Sequence, residues 1–226
     1  MRSRFADKFN HDDEAQGYDL DVADEDNPIR EGYSALLDWV AKEASPGEES
    51  SVLELGTGTG NLTVLLGRPG RLVCVDVSEE MLRIAHTKLS GLDGVEYMVS
   101  DLLEIFDRLR DPFDLLVSTY AIHHLTAEEK SLLFHRIAEG LAPGGRAVFG
   151  DLMFADSEHR REYLAGLRRS QANEHADEIE DEFFWDLERS VAELIRLGFE
   201  VETERISELS WGVSAVLGNG SPDLLY

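Results

Sequence analysis

A glycine-rich loop is the feature of the chain whose residue types point most directly to chemistry. An apolar segment, Val52–Leu55, reads as the end of a buried strand, glycines stand at positions 56, 58 and 60, and Leu62–Leu66 predicts the start of a helix. Glycine has no side chain to keep a ligand away from the backbone, and it tolerates positive φ. The start of a helix adds unpaired N–H groups and a partial positive charge. The motif therefore predicts a loop that contacts a ligand through its backbone.

Acidic side chains stand at the ends of the next two predicted strands. Asp76 follows the glycine loop by about twenty residues, the spacing at which an acidic residue accepts hydrogen bonds from ribose hydroxyls. Asp101 ends the next strand, where its carboxylate can accept a hydrogen bond from the exocyclic amine of adenine. Because parallel α/β sheets bind ligands beyond the carboxyl ends of their strands, the two carboxylates predict a slot for adenosine. Dinucleotides also contain adenosine, so this slot alone does not choose the cofactor.

The spacing of the glycines separates two cofactor classes. A dinucleotide-binding loop reads G-x-G-x-x-G, whereas this loop reads G-x-G-x-G and has Asn61 where the third glycine of that pattern would stand. Glu54, just before the loop, would also face a pyrophosphate unfavourably. A ligand with an ammonium and a sulfonium suits such a place. A cationic nucleoside is therefore favoured, and a nicotinamide-dependent oxidoreductase is the weaker alternative.

The order of predicted elements indicates the fold class. Five predicted strands alternate with helices, and the strands cover 51–55, 71–75, 95–99, 113–118 and 146–150. The intervening helices are predicted at about 60–67, 79–90 and 127–140. Alternating strands and helices form right-handed crossovers on a parallel sheet, which predicts a doubly wound α/β fold with helices on both faces. The strands 199–203 and 209–217 form a closing hairpin, so one of them is antiparallel to the sheet.

The remaining segments are predicted to cover this sheet. Residues 1–50 comprise an N-terminal arm, which is strongly acidic over 7–28, and a cap helix over 29–43. The main domain covers 51–226, and within it residues 152–182 form a helical cap insertion. The acidic arm has few apolar side chains to bury. We therefore expect either a mobile arm or a flap that becomes ordered when a ligand binds.

Composition limits the partners and the compartment. The 226 residues carry a net charge of −25, with 46 acidic against 21 basic residues. Such a surface repels phosphate groups, so nucleic acids and anionic membranes are not expected as partners. No apolar run approaches the length of a membrane span, and no secretory signal is recognisable, so we expect a cytoplasmic protein. The single cysteine, Cys74, lies in a buried-strand pattern and is expected to serve packing.

Together these motifs resemble the class I S-adenosylmethionine-dependent methyltransferases. The resemblance covers, in order, Val52–Asn61, Val75–Ser78, Ser100–Leu102, Phe113–His124 and Leu141–Gly150. The chain is more similar still to the YrrT-type methyltransferases, through Leu55–Thr63, Val117–Thr126 and Phe154–Asp156, and this similarity extends to Trp211. The resemblance implies a Rossmann-like sheet of seven strands, S-adenosyl-L-methionine as cofactor and S-adenosyl-L-homocysteine as product. The acceptor is not established in that group.

The resemblance also assigns residues to parts of the cofactor. It implies that the loop at Gly56 holds the methionyl part, Asp76 the ribose and Asp101 the adenine. Tyr18 and Asp19 match the Tyr-Asp pair with which an N-terminal flap covers the cofactor in many relatives. The complete set of predicted cofactor-binding residues is Tyr18, Glu54, Gly56, Thr57, Gly58, Gly60, Asp76, Val77, Met81, Asp101, Leu102 and Ser118.

The methyl acceptor is predicted to be a small molecule. The segment Ser118–Ala121 lacks the Asn/Asp-Pro-Pro-Tyr loop typical of enzymes that methylate amino groups of nucleobases and glutamine. Methyl transfer from a sulfonium needs mainly alignment of the reactants. Where a base is needed, Tyr120, His123 and His124 are the candidates, since they follow the fourth strand. No metal is expected, because neighbouring histidines rarely bind one ion and no third ligand is spaced for it. A non-catalytic module that binds the cofactor stays an alternative, and both a monomer and a homodimer are open.

Overall fold

A mostly parallel β-sheet forms the centre of the computed structural model, which describes residues 1–219. Its strands are β1 (Ser51–Leu55), β2 (Arg71–Asp76), β3 (Val95–Val99), β4 (Phe113–Thr119), β5 (Leu141–Phe154), β6 (Trp185–Asp186), β7 (Phe199–Arg205) and β8 (Ser210–Leu217). The strand order is β3-β2-β1-β4-β5-β8-β7, and the short β6 pairs with β5 away from this path. Strand β8 runs antiparallel to both β5 and β7, whereas the other pairs are parallel. The predicted Rossmann-like sheet with one antiparallel strand is confirmed.

Helices cover both faces of this sheet. They are α1 (Tyr18–Asp21), α2 (Tyr33–Ala44), α3 (Glu79–Lys88), α4 (Ala127–Gly140), α5 (Ser157–Arg169), α6 (Asn173–Glu180) and α7 (Leu187–Arg196). Apolar residues of α4 and α7 belong to one buried core, and those of α2, α3, α5 and α6 belong to a second. Successive residues of the central strand β4, Leu115, Leu116 and Val117, alternate between the two cores. This alternation is the period of two expected for a strand buried on both faces.

Side-chain caps fix where the helices next to the strand ends begin. Ser78 accepts a hydrogen bond from the Met81 N–H at 3.0 Å and starts α3. Thr126 and Glu129 form a reciprocal capping box at the start of α4. These short polar side chains satisfy N–H groups that a helix leaves unpaired, so β2 and β4 are each followed by a turn of defined shape.

The structure corrects several predicted elements. The helix predicted over 60–67 is only a 3₁₀ turn at Thr63–Leu65, because Gly67 adopts φ +73° and Pro69 follows it. Strand β5 extends to Phe154, because its pairing with β8 continues to Leu152 and its pairing with β6 reaches Phe154. Within the segment 152–182, predicted as a helical cap insertion, the acidic tract contains α6, whose Ala176 and Ile179 are buried.

Helix α2, predicted as part of a cap, instead packs on the sheet. Gly150 and Gly212 are paired on β5 and β8 beneath it. A Cβ atom at Gly150 would lie 2.7 Å from Val40, and one at Gly212 would lie 2.3 Å from the Trp39 ring. These distances are too short for a side chain, so glycine on two neighbouring strands allows α2 to approach the sheet closely.

The N-terminal arm, residues 1–28, lies across the carboxyl ends of the strands. Ser3 N–H donates to Asp101 Oδ1 at 3.1 Å, Ser78 Oγ donates to Asp12 Oδ1 at 2.5 Å, and Thr59 Oγ1 donates to Asp19 Oδ1 at 2.5 Å. The arm is thus attached above the ends of β3, β2 and β1. The division into 1–50 and 51–226 stays a proposal, and 220–226 lie outside the described residues.

None of the helices within residues 1–219 combines the length and the apolar character that crossing a membrane requires.

Candidate cofactor and acceptor site

A cavity of about 710 Å³ lies between the N-terminal arm and the carboxyl edge of the sheet. Its floor comes from the residues that follow β1, β2, β3 and β4, and its roof comes from the arm and from the segment after α6. The predicted site residues that line it are Tyr18, Gly56, Thr57, Gly58, Asp76, Val77, Met81, Asp101, Leu102, Tyr120, His123 and His124. The structure therefore brings together most of the residues that the sequence singled out.

Two glycines of the loop, Gly56 and Gly58, have positive φ but different surroundings. Gly56 has φ +72°, and a Cβ atom there would lie 2.2 Å from Cβ of Ala121. Gly58 has φ +55° and open space where a Cβ would project. Gly56 is therefore required by packing against the segment after β4, whereas Gly58 leaves room at the cavity for a ligand.

Asp76 presents a carboxylate that the backbone already orients. Its Oδ2 accepts from the Gly58 N–H at 2.8 Å, and its Oδ1 accepts from the Ser78 N–H at 2.9 Å. Burial raises the pKa of Asp76, although these backbone hydrogen bonds oppose the shift. Each carboxylate oxygen can accept a further hydrogen bond. The group therefore fits a pair of neighbouring hydroxyls, such as those of a ribose.

Asp101 is bound by the N-terminal arm. Besides the Ser3 N–H, the Ser3 hydroxyl donates to Oδ2, and the Leu103 N–H donates to Oδ1 at 2.9 Å. A nitrogen donor and a hydroxyl of the arm thus satisfy the carboxylate that the sequence assigns to the adenine amine. The carboxylate is an acceptor that also suits an amine donor, and Ser3 of the arm contacts it at the predicted adenine position.

Three predicted cofactor residues lie outside the cavity wall: Glu54, Gly60 and Ser118. Glu54 is buried beneath the loop, where Thr63 Oγ1 donates to its Oε2 at 2.7 Å. Ser118 Oγ donates to the Leu55 carbonyl at 2.8 Å, and Gly60 faces Ala85 of α3. That these residues contact the cofactor stays a prediction. They shape the loop from below, because their side chains or Cα positions face the core and not the cavity.

The surroundings of Tyr120 do not favour a role as a general base. Its hydroxyl is hydrogen-bonded to Ser210 Oγ at 3.1 Å, and its ring stacks on Tyr33 with centroids 5.0 Å apart. Burial raises the pKa of its phenol well above the usual range. The residue adopts φ +47°, so it sits at a tight turn directly after β4. This geometry favours a structural role in the cavity wall.

His123 forms a buried pair with Asp151 at the end of β5. Its Nδ1 lies 2.5 Å from Asp151 Oδ1. Oδ2 of Asp151 accepts from the Ile122 N–H at 2.9 Å and from Trp185 Nε1 at 3.2 Å. Burial raises the pKa of Asp151, but the charge and hydrogen bond of His123, the Leu152 N–H and the nearby Lys130 outweigh it, and the pKa is lowered. Asp151 is thus an ionised acceptor, and it fixes the orientation of the His123 ring.

His124 forms a second pair with a carboxylate. Its Nδ1 lies 3.0 Å from Glu182 Oε2, and its ring stacks on Phe9 of the arm with centroids 4.1 Å apart. Burial and the neighbouring His123 lower the pKa of His124 to about 4. At neutral pH this imidazole is uncharged.

Glu182 also completes a group of three possible metal ligands. One ligand atom each from His123, His124 and Glu182 lies within 4.8 Å of the others. The sequence shows no third ligand near the histidines because Glu182 follows His124 by 58 positions. The three side chains come together because the segment after α6 packs against the turn that follows β4, where the Phe183 N–H donates to the His123 carbonyl at 3.0 Å.

The sequence missed the site residues that lie far from the loop motifs. These are Ser3 and Phe9 of the arm, Arg30, and the carboxylates of Asp151 and Glu182. Asp151 had a detectable signal, since it ends a predicted strand. Arg30 stands in the predicted cap helix, and the others stand in segments without a recognisable pattern.

Residues 52–145 match the sequence profile described as a methyltransferase domain. An uncharacterized methyltransferase of Geobacillus kaustophilus is 34% identical over 210 residues, which cover 89% of this chain and 93% of that protein. The chain belongs to this methyltransferase family. The uncharacterized methyltransferase YrrT of Halobacillus halophilus is 29% identical over 227 residues, covering 96% of the chain and all of that protein (100%).

The methyltransferase fold also recurs among solved structures. The N-methyltransferase NodS from Bradyrhizobium japonicum, crystallised with S-adenosyl-L-homocysteine, superposes with a TM-score of 0.65 at 19% identity. The alignment covers 90% of this chain and 97% of NodS. The sequence-based predictions of a methyltransferase and of S-adenosylmethionine as its methyl donor are confirmed.

Proposed function

We propose that this methyltransferase acts in the cytoplasm on a small-molecule acceptor, by direct in-line transfer of the methyl group. The observation that carries the proposal is the cavity of about 710 Å³ beneath the arm, which has the size of a small-ligand pocket. A net charge of −25 disfavours nucleic acids and anionic membranes as acceptors.

Under this proposal the cofactor lies along the carboxyl ends of β1, β2 and β3. The backbone around Gly58 takes the methionyl part, Asp76 accepts from the ribose hydroxyls, and Asp101 accepts from the adenine amine. Tyr18 covers the cofactor from the arm. The support is that these groups share one cavity and present oxygen acceptors rather than cations. Such a surface favours a cationic nucleoside over a pyrophosphate.

S-adenosylmethionine supplies a methyl group that is already activated as a sulfonium. The chain then has to align the acceptor with that group and exclude water. The arm contributes to both, since Phe5 and Phe9 lie along the cavity and cover it from solvent. Where the acceptor carries a proton, His124 is the candidate base, because its imidazole lines the cavity and its Nδ1 lies 3.0 Å from Glu182 Oε2.

Calorimetry with S-adenosyl-L-homocysteine tests the cofactor assignment. We expect binding by the unchanged protein and a loss of about 10- to 100-fold in affinity for Asp76→Ala, because hydrogen bonds to a charged group contribute about 1.5–3 kcal/mol each. Asp111→Ala, at an exposed carboxylate before β4, is the matched control and should bind normally. Equal affinity of the two variants would contradict the assignment.

Turnover tests the acceptor class. Incubation of the protein with S-adenosylmethionine and a pool of small metabolites should release S-adenosyl-L-homocysteine above the acceptor-free background. Methylation only of added protein or nucleic acid, with none in the small-molecule fraction, would show that the proposal is wrong.

A further inference from the structure

Three side chains beside the turn after β4 present metal-binding atoms to one another. One ligand atom each from His123, His124 and Glu182 lies within 4.8 Å of the others, and all three residues line the cavity. His124 Nδ1 lies 3.0 Å from Glu182 Oε2. Two ligands of a tetrahedral zinc ion are about 3.3 Å apart, since each bond is about 2.0 Å long. These two atoms are therefore close to the separation that a shared ion requires.

The short turn after β4 explains how two neighbouring histidines can reach one ion. In a strand, neighbouring side chains point to opposite faces. His123 and His124 instead end a 3₁₀ turn, Ile122–His124, which follows Tyr120 at φ +47°. Their ring centroids are 4.0 Å apart. The two imidazoles therefore lie side by side, although they are adjacent in the sequence.

Asp151 orients His123 in the way that metal-ligating imidazoles are usually oriented. Its Oδ1 lies 2.5 Å from His123 Nδ1, which leaves Nε2 as the ring nitrogen free for an ion. Asp151 is 1% exposed, and its Oδ2 accepts from Trp185 Nε1 at 3.2 Å. A histidine that binds a metal almost always donates its other N–H to such an acceptor, which fixes the ring. The buried pair is thus a second feature, independent of the cluster itself, that indicates a metal site.

Lys130 holds the segment of the histidines and the segment of Glu182 together. Its Nζ donates to the carbonyls of Leu125 and Phe183, and the Phe183 N–H donates to the His123 carbonyl at 3.0 Å. Leu125 directly follows the two histidines, and Phe183 directly follows Glu182. Hydrogen bonds to the backbone therefore set how far apart the ligands lie. Such preorganisation lowers the cost of ordering them around an ion.

The charges around the cluster favour a dication on balance. Two carboxylates, Glu182 and Asp151, contact the histidines, and Lys130 is a buried cation close to both. Nζ of Lys8 donates to the Asp181 carbonyl at 3.1 Å. Neither lysine forms a salt bridge with Glu182 within residues 1–219. The ammonium of Lys130 opposes an ion, but the two carbonyl oxygens that it contacts offset part of its charge.

The donor set indicates which metal fits. Two imidazole nitrogens and a carboxylate oxygen suit Zn²⁺ and related transition metals, whereas Mg²⁺ and Ca²⁺ prefer oxygen ligands. Catalytic zinc sites use this set of three protein ligands and keep a fourth position open. The side chains of His123, His124 and Glu182 are 6%, 18% and 23% exposed, so an ion among them is largely surrounded by protein.

We propose that His123 Nε2, His124 Nδ1 and Glu182 bind one divalent transition-metal ion, zinc by its donor set, whose open position faces the cavity. The inference goes beyond the proposed function and does not depend on it. The proton of the hydrogen bond between His124 Nδ1 and Glu182 Oε2 leaves when the ion binds. With the ion bound, His124 has no free nitrogen lone pair, so it is then a ligand and not a base.

Titration of the untagged protein with zinc tests the site directly. The protein is dialysed against a chelator, returned to chelator-free buffer and titrated with zinc chloride against a chromophoric indicator, without S-adenosylmethionine. We expect one zinc ion per chain with a Kd of about 10 µM or tighter. Weaker binding, or uptake of several ions per chain, would show an adventitious ion only and would overturn the proposal.

Cobalt in place of zinc reports on the ligands. Co²⁺ in a four- or five-coordinate site absorbs visible light much more strongly than the hydrated ion does. We expect intensified visible bands when one equivalent of Co²⁺ is added, and their loss when one equivalent of zinc follows, because both ions use the same ligands. A spectrum that stays that of the hydrated ion would contradict the proposal.

Variants assign the binding to the three side chains. Glu182→Gln and His124→Gln each remove a ligand and should weaken zinc binding at least about 100-fold. Asp151→Asn changes only the partner of His123 and should weaken it about 10- to 100-fold. Glu180→Gln and His175→Gln, at exposed side chains of α6, are the matched controls and should bind zinc as the unchanged protein does.

Folding and cofactor binding are measured on the same variants. Circular dichroism melts and calorimetry with S-adenosyl-L-homocysteine check that each variant folds. Equal zinc affinity of Glu182→Gln and Glu180→Gln in folded protein would overturn the inference. Zinc binding that follows the expected pattern in a protein that does not bind S-adenosyl-L-homocysteine would support this inference and contradict the proposed function.

Discussion

Glu54 is a buried carboxylate that holds the glycine loop in place through hydrogen bonds from inside the protein. Its carboxylate accepts from Thr63 Oγ1 at 2.7 Å and from Thr57 Oγ1 at 3.4 Å, and it is 1% exposed. Burial raises its pKa to about 7, against the hydrogen bonds that favour the charged form. The side chain thus joins the start of the glycine loop to the turn that follows it, without contact with the cavity.

This raised pKa predicts how stability depends on pH. Because the folded pKa lies above the unfolded value of 4.5, the stabilising contribution of Glu54 is full below that value and is lost as pH rises through about 7. Glu54→Gln keeps an acceptor for Thr63 and does not ionise. Relative to the unchanged protein, its free energy of unfolding should therefore increase by about 1–3 kcal/mol between pH 5 and pH 8.

Urea denaturation of both proteins at the two pH values measures this difference. Glu48→Gln, at an exposed glutamate before β1, should show no such change. A difference between Glu54→Gln and the unchanged protein that stays constant with pH would mean that Glu54 is ionised throughout this range.

The N-terminal arm is the element whose position matters most for the cofactor. Its hydrogen bonds reach Asp101, the start of α3 and the glycine loop, and its Phe9 lies on His124. If the cofactor lies beneath the arm, as proposed, these contacts lie across its path to solvent. Exchange of the cofactor should therefore be limited by the arm.

Deletion of residues 1–9 should speed the release of S-adenosyl-L-homocysteine at least fivefold, because the contacts of Ser3 and Phe9 that close the cavity are lost. Exchange of labelled against unlabelled S-adenosyl-L-homocysteine measures the rate. Asp7→Asn is the control, since Asp7 is exposed and pairs only with Arg2 among the described residues. A release rate that is equal in the deletion variant and the control would show that the arm does not gate the site.

The sequence was most informative where structure is determined locally. Strands β1 to β4 and helices α3 and α4 follow from apolar periodicity and caps such as Ser78 and Thr126, all of which are short-range signals. The helix expected after the glycine loop is shortened to a 3₁₀ turn by Gly67 and Pro69. Both residues stand in the sequence, but the apolar run before them suggested a longer element.

The parts of the site that sequence could not predict depend on long-range contacts. Ser3 meets Asp101 across 98 positions, and Glu182 meets His124 across 58. No local pattern encodes either pair, because each forms only when separate elements pack together. Asp76 and Asp101 were identified because the fold class itself fixes where the carboxyl ends of parallel strands lie.

At the scale of the whole molecule, the chain carries far more acid than base. The net charge is −25, with 46 acidic and 21 basic residues. Several exposed aspartates, including Asp24, Asp26, Asp93 and Asp111, form no side-chain hydrogen bond or ion pair within residues 1–219. Mutual repulsion among such groups opposes the compact state.

Salt should therefore stabilise this protein. Raising NaCl from about 0.1 M to about 1 M shortens the screening length from about 10 Å to about 3 Å, so repulsion between exposed carboxylates is largely removed. We expect the free energy of unfolding to rise by about 1–3 kcal/mol.

A variant with Asp24, Asp26, Asp93 and Asp111 each replaced by asparagine should be more stable than the unchanged protein at low salt and gain less from added salt. Urea denaturation in both salt concentrations measures the two effects, with KCl in place of NaCl to separate screening from binding of a particular ion. If the variant and the unchanged protein gained equally, repulsion among these surface charges would not be the cause of the salt dependence.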